Sequence, residues 1–208
     1  SLQSTIINMA QNYPGSNNLE LLYPSGQFGT RLQNGKDASS PRYIFTRLSE
    51  LTSTIYNEAD SDNLKYLDDD GFSIEPERFV PLLPMILVNG TKGIGTGWST
   101  DIPKYNPLDI LNCMKKLLKG EELTELTPWY RNYDGKFIKT QDKTFMNLGV
   151  YEIVNNNTLK ILELPIGVST EEYKDFLDKV VSGNDPKIDY VENYENSSTD
   201  TKVCFVVL

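Results

Sequence analysis

The sequence predicts an α+β fold, in which helices and short antiparallel strands occupy separate stretches of the chain. Two well-delimited helix signals and a cluster of strand patterns support this prediction. One helix signal follows Asn106, an N-cap residue with proline at the next position, and stops at Gly120. The other begins at Ser169, which stands in capping-box spacing with Glu172.

The first quarter of the chain combines helix and turn signals. Apolar residues at helical spacing predict a helix over residues 4–12. Residues 19–36 alternate short apolar pieces with the turn sequences PSG and QNGK, a pattern that predicts a hairpin or wing. Over residues 44–55 the apolar positions are spaced by four, three and four, which predicts a second helix with Tyr43 at its entrance.

The rest of the chain predicts connections and strands. Residues 57–71 form an acidic, turn-rich connection, and the nearly continuous apolar run over 79–90 predicts a buried strand. Further strands are predicted over residues 135–139, 149–154, 158–164 and 202–208. Because the last strand pattern continues to the final residue, we expect the sequence to be a piece of a longer protein.

The charge distribution bears on the class of partner. The net charge of −9 opposes binding to nucleic acid, which favours clustered Lys and Arg. Residues 1–47, however, hold four Lys or Arg against two Asp or Glu, a net charge of +2 that leaves −11 for the remainder. Because salt screens charges over about 8–10 Å, a locally basic N-terminal part remains compatible with contacts to phosphates.

The residue types that are rare or absent exclude several function classes. The chain contains no histidine, so it cannot by itself build a triad with a histidine base or an HExxH zinc site. Cys113 and Cys204 lie far apart without CxxC spacing, which favours free thiols over a disulfide framework or a metal site. No apolar run is long enough to span a membrane and the start lacks signal-peptide features, so we expect a soluble intracellular protein.

A glycine cluster, NGTKGIGTGW, follows the apolar run and has two interpretations. Its spacing matches neither GxxxxGK[ST] nor GxGxxG, which argues against a nucleotide site. It is either a tight loop in which backbones approach closely, or a loop that presents Ile94 as an apolar wedge of the kind that enters DNA base steps. The acidic runs at 60–62 and 68–70 do not match a calcium-binding loop and are interpreted as solvated turns.

The neighbouring pair Arg42 and Tyr43 ends a small polar loop. A tyrosine attacks as a nucleophile only when a base, a metal or nearby positive charge favours its phenolate, because its ordinary pKa is about 10. Arg42 could supply part of that charge and stabilise a phosphorane-like transition state. From these residues alone, Tyr43 is either a core aromatic or an exposed nucleophile.

The motifs GSNN, GQFGTR, GKDASSPRYIFT and PMILVNGTKGIGTGWST, with a weaker ELP, occur here in one ordered set. In this order they resemble eukaryotic-type DNA topoisomerase II, a type IIA family that passes one duplex through a break in another. The resemblance is most specific over residues 6–100 and looser beyond. It implies an ATP-dependent, isomerase-class enzyme of which this chain is a fragment, inactive alone.

The resemblance implies roles for individual residues. Tyr43 matches the nucleophile that forms a 5′-phosphotyrosine with DNA and leaves a 3′-hydroxyl, and Arg42 matches the neighbouring transition-state stabiliser. Ile94 matches the isoleucine that intercalates and bends the DNA. Weaker assignments place DNA contacts at Ser4, Gln27, Arg31 and Lys36, for which an ordinary solvated surface is the alternative.

The resemblance also implies an architecture. Residues 1–83 would be the later part of a winged-helix domain, and 84–208 the beginning of a mixed α/β tower domain. It further implies duplex DNA as partner, a nuclear homodimer, no membrane association, and Mg²⁺ and ATP bound outside this chain, with no metal site within it. Lys92 departs from the family, where this position is often acidic.

Three alternatives stay open. A noncatalytic DNA-binding module would keep the basic wing but form no covalent bond with DNA. A structural or partner-binding domain would be indifferent to DNA. A fragment of a bacterial-type gyrase subunit is the nearest rival within the wider family, although the wording of GKDASSPRYIFT favours the eukaryotic branch.

Overall fold

The computed structural model describes residues 1–142 and 144–208 as a mixed α/β chain built around antiparallel strand pairs. The helices are α1 (Leu2–Ala10), α2 (Thr52–Ile55), α3 (Met85–Val88), α4 (Pro107–Leu118) and α5 (Thr170–Val181). The strands of the first half are β1 (Leu22–Ser25), β2 (Phe45–Leu48), β3 (Tyr66–Asp69), β4 (Phe72–Pro76), β5 (Thr91–Gly95) and β6 (Trp98–Ile102). Those of the second half are β7 (Lys136–Gln141), β8 (Thr144–Leu148), β9 (Val150–Asn155), β10 (Thr158–Glu163), β11 (Tyr194–Asn196) and β12 (Phe205–Val207).

Most strands form isolated hairpins or pairs, and one larger sheet supports the second half. The two-stranded sheets are β1–β2, β3–β4, β5–β6 and β7–β8, and the four-stranded sheet has the order β11–β12–β10–β9. Helix α5 packs its apolar side on this larger sheet. There the ring of Tyr173 meets the fully buried ring of Phe205 edge to face, with 5.1 Å between the ring centroids. A smaller core of Ala10, Phe28 and Ile44 joins α1 to the residues that flank the Arg42–Tyr43 pair.

The predictions that rest on capping residues are confirmed. The Asn106 side chain accepts a hydrogen bond from Leu108 N at 2.9 Å, and α4 ends just before Gly120, whose φ of 70° favours glycine. At α5, Ser169 and Glu172 make both bonds of the capping box. The predicted helix over 4–12 corresponds to α1, and the predicted strands after residue 134 correspond to β7, β9, β10 and β12. Strands β8 and β11 were not predicted.

The predicted hairpin within residues 19–36 and the predicted helix over 44–55 are both wrong. Residues 19–36 contain strand β1, but β1 pairs with β2, with Leu22 opposite Leu48. Residues 44–55 are therefore not one helix, but strand β2 followed by the short helix α2. The apolar spacing that indicated a helix does not mark a buried face, since Leu48 is exposed whereas Ile44 is buried. Pairing with a strand that lies 20 residues earlier outweighs local periodicity here.

The buried strand predicted over residues 79–90 is also wrong. This stretch contains the short helix α3, whose N-cap is Pro84, and Val88 is its fully buried residue. Prolines at 81 and 84 cannot donate to a strand ladder, which disfavours a central strand. The acidic connection over 57–71 contains a 3₁₀ turn at Glu58–Asn63 and leads into the β3–β4 hairpin.

Asparagine side chains tie the N-terminal part of the chain to its middle. Asn18, only 2% exposed, donates to Tyr105 O at 3.2 Å and Trp129 O at 3.0 Å. Its Oδ1 accepts from Arg131 N at 2.9 Å. Because buried backbone groups must be hydrogen-bonded, this one amide satisfies three groups that would otherwise lack a partner.

Replacing Asn18 with alanine should therefore destabilise the chain by about 3 kcal/mol, because three buried backbone groups lose their hydrogen bonds. For a chain of this size that corresponds to a melting temperature about 6–12 °C lower, measured by circular dichroism. Asn12→Ala, at an exposed position, is the matched control and should change stability by less than about 0.5 kcal/mol. Equal melting temperatures for the two variants would contradict this account of Asn18.

Candidate functional site

Arg42 and Tyr43 lie in an exposed 3₁₀ turn, Pro41–Tyr43, that leads directly into β2. Tyr43 N donates to Ser40 O at 3.0 Å, and Tyr43 is 66% exposed. The carbon Cζ of Arg42 lies 4.9 Å from the centroid of the Tyr43 ring, within cation–π distance. The interpretation of Tyr43 as a core aromatic is thus wrong. The structure presents a phenol to solvent with a cation beside it.

The next residue anchors this turn. Ile44 is buried against Ala10 and Phe28, so the chain is fixed immediately after Tyr43. Gly26 lies against Ile44: a Cβ added at Gly26 would stand 2.8 Å from Ile44 Cγ2, and Gly26 has a φ of 116°. Any side chain at position 26 would therefore disturb the anchor.

The loop over residues 26–40, which precedes the turn, is held together by Asp37. Its Oδ1 accepts from Thr30 N at 2.8 Å, and its Oδ2 accepts from Thr30 Oγ1 at 2.5 Å and Gln27 Nε2 at 3.3 Å. From the adjacent α1 side, the buried amide of Gln11 donates to Phe28 O at 2.9 Å. Burial, with a smaller contribution from the charge of Asp37, raises the pKa of Tyr13 beside this loop. These hydrogen bonds hold the loop over residues 26–40 in one defined conformation.

Arg31 does not occupy the exposed position that the sequence predicted for it. Its residue is 7% exposed, and its guanidinium forms an ion pair with Glu163, which is 3% exposed. Arg31 Nη1 lies 3.3 Å from Glu163 Oε2, while Nη2 contacts Oε1. A buried charge has to be paired, and here the partner is a carboxylate 132 residues away. The charge of Arg31 is therefore already paired within the protein, and its contact with DNA remains a prediction.

Glu163 is surrounded by donors. Besides the two guanidinium nitrogens, its carboxylate accepts from Leu164 N at 2.9 Å and from Asp134 N at 3.3 Å. Burial and the negative charge of Glu163 raise the pKa of nearby Tyr133, whereas the positive charge of Arg31 lowers it. The net result is a pKa of about 12. The phenol of Tyr133 accordingly stays protonated and donates to Leu148 O at 2.6 Å.

The other predicted DNA contacts lie at the surface. Ser4 is exposed on α1, and Lys36 is exposed on the loop. Gln27 is exposed as well, although its amide is already bonded to Asp37. Contact of these three residues with DNA remains a prediction.

Ile94 protrudes from the β5–β6 hairpin. It is 91% exposed, lies opposite Ser99, and is flanked by Gly93 and Gly95. A Cβ added at Gly93 would meet nothing within 4 Å, so this glycine does not serve a close approach of backbones. A close approach of backbones, the other interpretation of the glycine cluster, is seen at Gly90. A Cβ added at Gly90 would stand 2.6 Å from Ile102 O. Ile94 itself is on a projecting strand end.

Sequence reasoning missed three features of this region. Glu163 was visible only as the first letter of the weak ELP motif, with no signal that it pairs with Arg31. Arg47 lies 4.5 Å from the ring centroid of Tyr23, its partner across β1–β2, a pairing that the expected helix concealed. Trp98, on the same hairpin as Ile94, is also highly exposed.

The acidic residues do not form a metal centre in the part of the chain that is described. Over residues 1–142 and 144–208, no three carboxylate or thiol side chains come together in a way that could hold an ion. The described residues thus offer no ready-made cluster of three such side chains for Mg²⁺. Within the same ranges, no helix is long and apolar enough to cross a membrane.

Comparison with known proteins identifies the family. The family model for the A subunits of DNA gyrase and topoisomerase IV matches residues 1–208. The chain belongs to this family of type II DNA topoisomerases. It is 47% identical to DNA topoisomerase 2 of Caenorhabditis elegans and 44% identical to DNA topoisomerase 2-alpha of Homo sapiens, over all 208 residues in each case. The predicted resemblance to the eukaryotic type is thereby confirmed.

The family match extends to the three-dimensional structure. The crystal structure of the DNA-binding, cleavage and re-ligation domain of Plasmodium falciparum topoisomerase II superposes with a TM-score of 0.93 and is 43% identical. The match covers 99% of this chain and 28% of that one. The chain spans 14% of the length of the two curated relatives, so this topoisomerase segment accounts for a small part of each.

The role of Asp37 can be tested by amide hydrogen exchange. Asp37→Ala removes three bonds inside the 26–40 loop, one of them to a backbone N–H, so exchange of the amides of residues 27–40 should accelerate about tenfold or more. Asp60→Ala, at an exposed acidic position, is the control and should leave these amides unchanged. Unaltered protection in Asp37→Ala would show that other contacts order the loop.

Proposed function

We propose that this chain is the part of a type II DNA topoisomerase that breaks and reseals duplex DNA through Tyr43. The observation that carries the proposal is the exposed Arg42–Tyr43 pair, anchored by Ile44 within the motif GKDASSPRYIFT. The family match and the names of the relatives support it. In the proposed reaction duplex DNA is the substrate, and a second duplex passes through the transient break.

The proposed chemistry is a transesterification. The phenolic oxygen of Tyr43 attacks a backbone phosphorus, a Tyr–O–P bond forms, and the P–O3′ bond breaks. The 3′-oxygen leaves as a hydroxyl with the proton that the phenol releases, and the phosphate stays on Tyr43 through the 5′ side. One phosphoester bond replaces another, so attack by the 3′-hydroxyl restores the DNA without an external energy source.

Arg42 supplies a positive charge beside the nucleophile. Its guanidinium lies 4.9 Å from the centroid of the Tyr43 ring, close to where a phosphate would approach the phenol. As phosphorus passes through a five-coordinate arrangement, the same planar cation can pair with the charge that develops on the equatorial oxygens. A lysine would give the charge without the forked geometry.

Ile94 is the proposed DNA wedge. An almost fully exposed isoleucine has little apolar contact in the free protein, and burial between two base pairs would gain about 1.5–3 kcal/mol toward the cost of unstacking them. Its neighbours on the same strand, Gly93 and Gly95, have no side chains that would shield it. This arrangement favours entry into a DNA groove.

Several features of the parent enzyme are proposed from the family alone. They are the division into a winged-helix part over 1–83 and a tower part over 84–208, a homodimeric assembly, and a nuclear location. Mg²⁺ and ATP belong to the same set, and we propose that both bind to parts of the parent enzyme other than residues 1–208. Magnesium would supply charge neutralisation at the phosphate.

Tyr43→Phe in the full-length enzyme should abolish the covalent DNA adduct, because phenylalanine has no oxygen to attack phosphorus. The adduct is measured by denaturing electrophoresis after trapping with detergent. Tyr151→Phe is the matched control, since Tyr151 is 65% exposed, and it should leave the adduct at the wild-type level. Survival of the adduct in Tyr43→Phe would refute the assignment. A wild-type enzyme that binds DNA in a salt-dependent manner but forms no adduct would favour a noncatalytic binding module.

Ile94→Ala should weaken DNA bending while leaving the nucleophile in place. Truncation of the side chain removes about 1.4 kcal/mol of burial free energy from the bent complex, so the ratio of bent to straight DNA should fall about tenfold. Bending is measured by energy transfer between dyes at the ends of a short duplex. Ile153→Ala, at another exposed isoleucine on β9, is the control. Equal bending by the Ile94 variant and the wild type would exclude the wedge.

A further inference from the structure

The segment over residues 31–34, within the loop before Tyr43, is held by residues 163–172 from the second half of the chain. The central contact is the buried ion pair of Arg31 and Glu163, in which two guanidinium nitrogens face two carboxylate oxygens. A forked pair of this kind fixes orientation as well as distance. Because both residues are buried, separation would leave a charge without compensation.

The backbone of the same loop completes the N-terminal cap of α5. The first helical N–H groups have no partners within a helix and need acceptors from elsewhere. Here Thr170 N donates to Arg31 O at 3.4 Å and Glu171 N donates to Leu32 O at 3.1 Å. Ser169 Oγ accepts from the following N–H. The helix therefore obtains two of its cap acceptors from the loop.

Two side chains of the loop add to this attachment. Gln33 Nε2 donates to Glu171 Oε1 at 2.9 Å, and Asn34 Nδ2 donates to Gly167 O at 2.9 Å. Four consecutive loop residues, 31 to 34, are thus bonded to the 163–172 segment. We call this set of contacts, made by residues 31–34 with 163–172, the loop clasp.

The residues between the loop clasp and Tyr43 are also held by hydrogen bonds. After the loop clasp, four backbone N–H groups donate to carbonyl oxygens of the same loop at N···O distances of 2.9–3.3 Å. The donor–acceptor pairs are Gly35 N to Thr30 O, Lys36 N to Gln33 O, Ala38 N to Gly35 O and Ser39 N to Gln27 O. The turn then begins, and Ile44 anchors its far end. A displacement at Arg31 would therefore be passed on to the nucleophile.

We propose that Arg31 and Glu163 are positioning residues for DNA cleavage, which hold the loop so that Tyr43 meets the scissile phosphate. The inference rests on the proposed function. The position of the 163–172 segment then determines the position of Tyr43, because a shift of that segment moves the loop. Neither residue touches the reacting atoms; each acts through the backbone that leads to Tyr43.

The test uses the full-length enzyme with Glu163→Gln, which keeps size but removes the charge that fixes Arg31. The rate of adduct formation should fall about 10- to 100-fold, because misplacement by about 1 Å costs on the order of 10²-fold in rate. Noncovalent DNA affinity, measured by fluorescence anisotropy in a Tyr43→Phe background, should change less than threefold. Glu163→Asp, which keeps the charged pair, should recover part of the rate.

The matched control is Glu20→Gln. Glu20 pairs with Arg131 at 2.6 Å and also joins the two halves of the chain, but it lies outside the 26–40 loop. This variant should cleave within threefold of the wild type. If Glu163→Gln folds poorly, as judged from its melting temperature, the double variant Gln33→Ala/Asn34→Ala removes two outer contacts of the loop clasp and should slow cleavage severalfold.

Three results would overturn the inference: wild-type cleavage by Glu163→Gln, equal loss in Glu163→Gln and Glu20→Gln, or loss of DNA affinity by the same factor as the rate. The first would show that the loop holds its place without the ion pair, and the second that any break between the halves is sufficient. Absence of an adduct in the wild type would instead refute the proposed function, so the two failures are distinguishable.

Discussion

The buried ion pair between Arg31 and Glu163 is the constraint that organises this part of the molecule. Removing two charges from water is costly, and the cost is offset only when both are paired and hydrogen-bonded. Glu163 meets that condition with donors from Arg31, Leu164 and Asp134. The segments that carry these groups must therefore stay together, which fixes the loop of residues 26–40 against the N-terminal end of α5.

The family motifs contain both exposed residues and residues that hold the chain together. Arg42, Tyr43 and Ile94 are exposed, and nothing in the packing of the described chain requires them there. Residues of GSNN and ELP are instead structural, because Asn18 bonds three backbone groups and Glu163 holds Arg31. Motif membership alone thus does not distinguish an exposed side chain proposed to react from one that stabilises the fold.

Local signals allowed reliable prediction of some parts of the fold, and physical reasons limited the rest. The caps at Asn106 and Ser169 define α4 and α5 because capping depends on residues close in sequence. The stretch after Tyr43 was mispredicted because its strand depends on a partner elsewhere in the chain. The exposed Arg42–Tyr43 pair was recognisable only through its motif, and the burial of Arg31 could not be predicted, since its partner lies 132 residues away.

The way in which α5 is capped also bears on anion binding. A helix N-terminus is ordinarily a good anion site, because unpaired N–H groups and the positive end of the helix dipole face outward. At α5 the N–H groups of Thr170 and Glu171 are already bonded to Arg31 O and Leu32 O, and two acidic residues lie in the first turn. The N–H groups at this helix end are therefore already bonded within the chain, and we do not expect it to hold a phosphate.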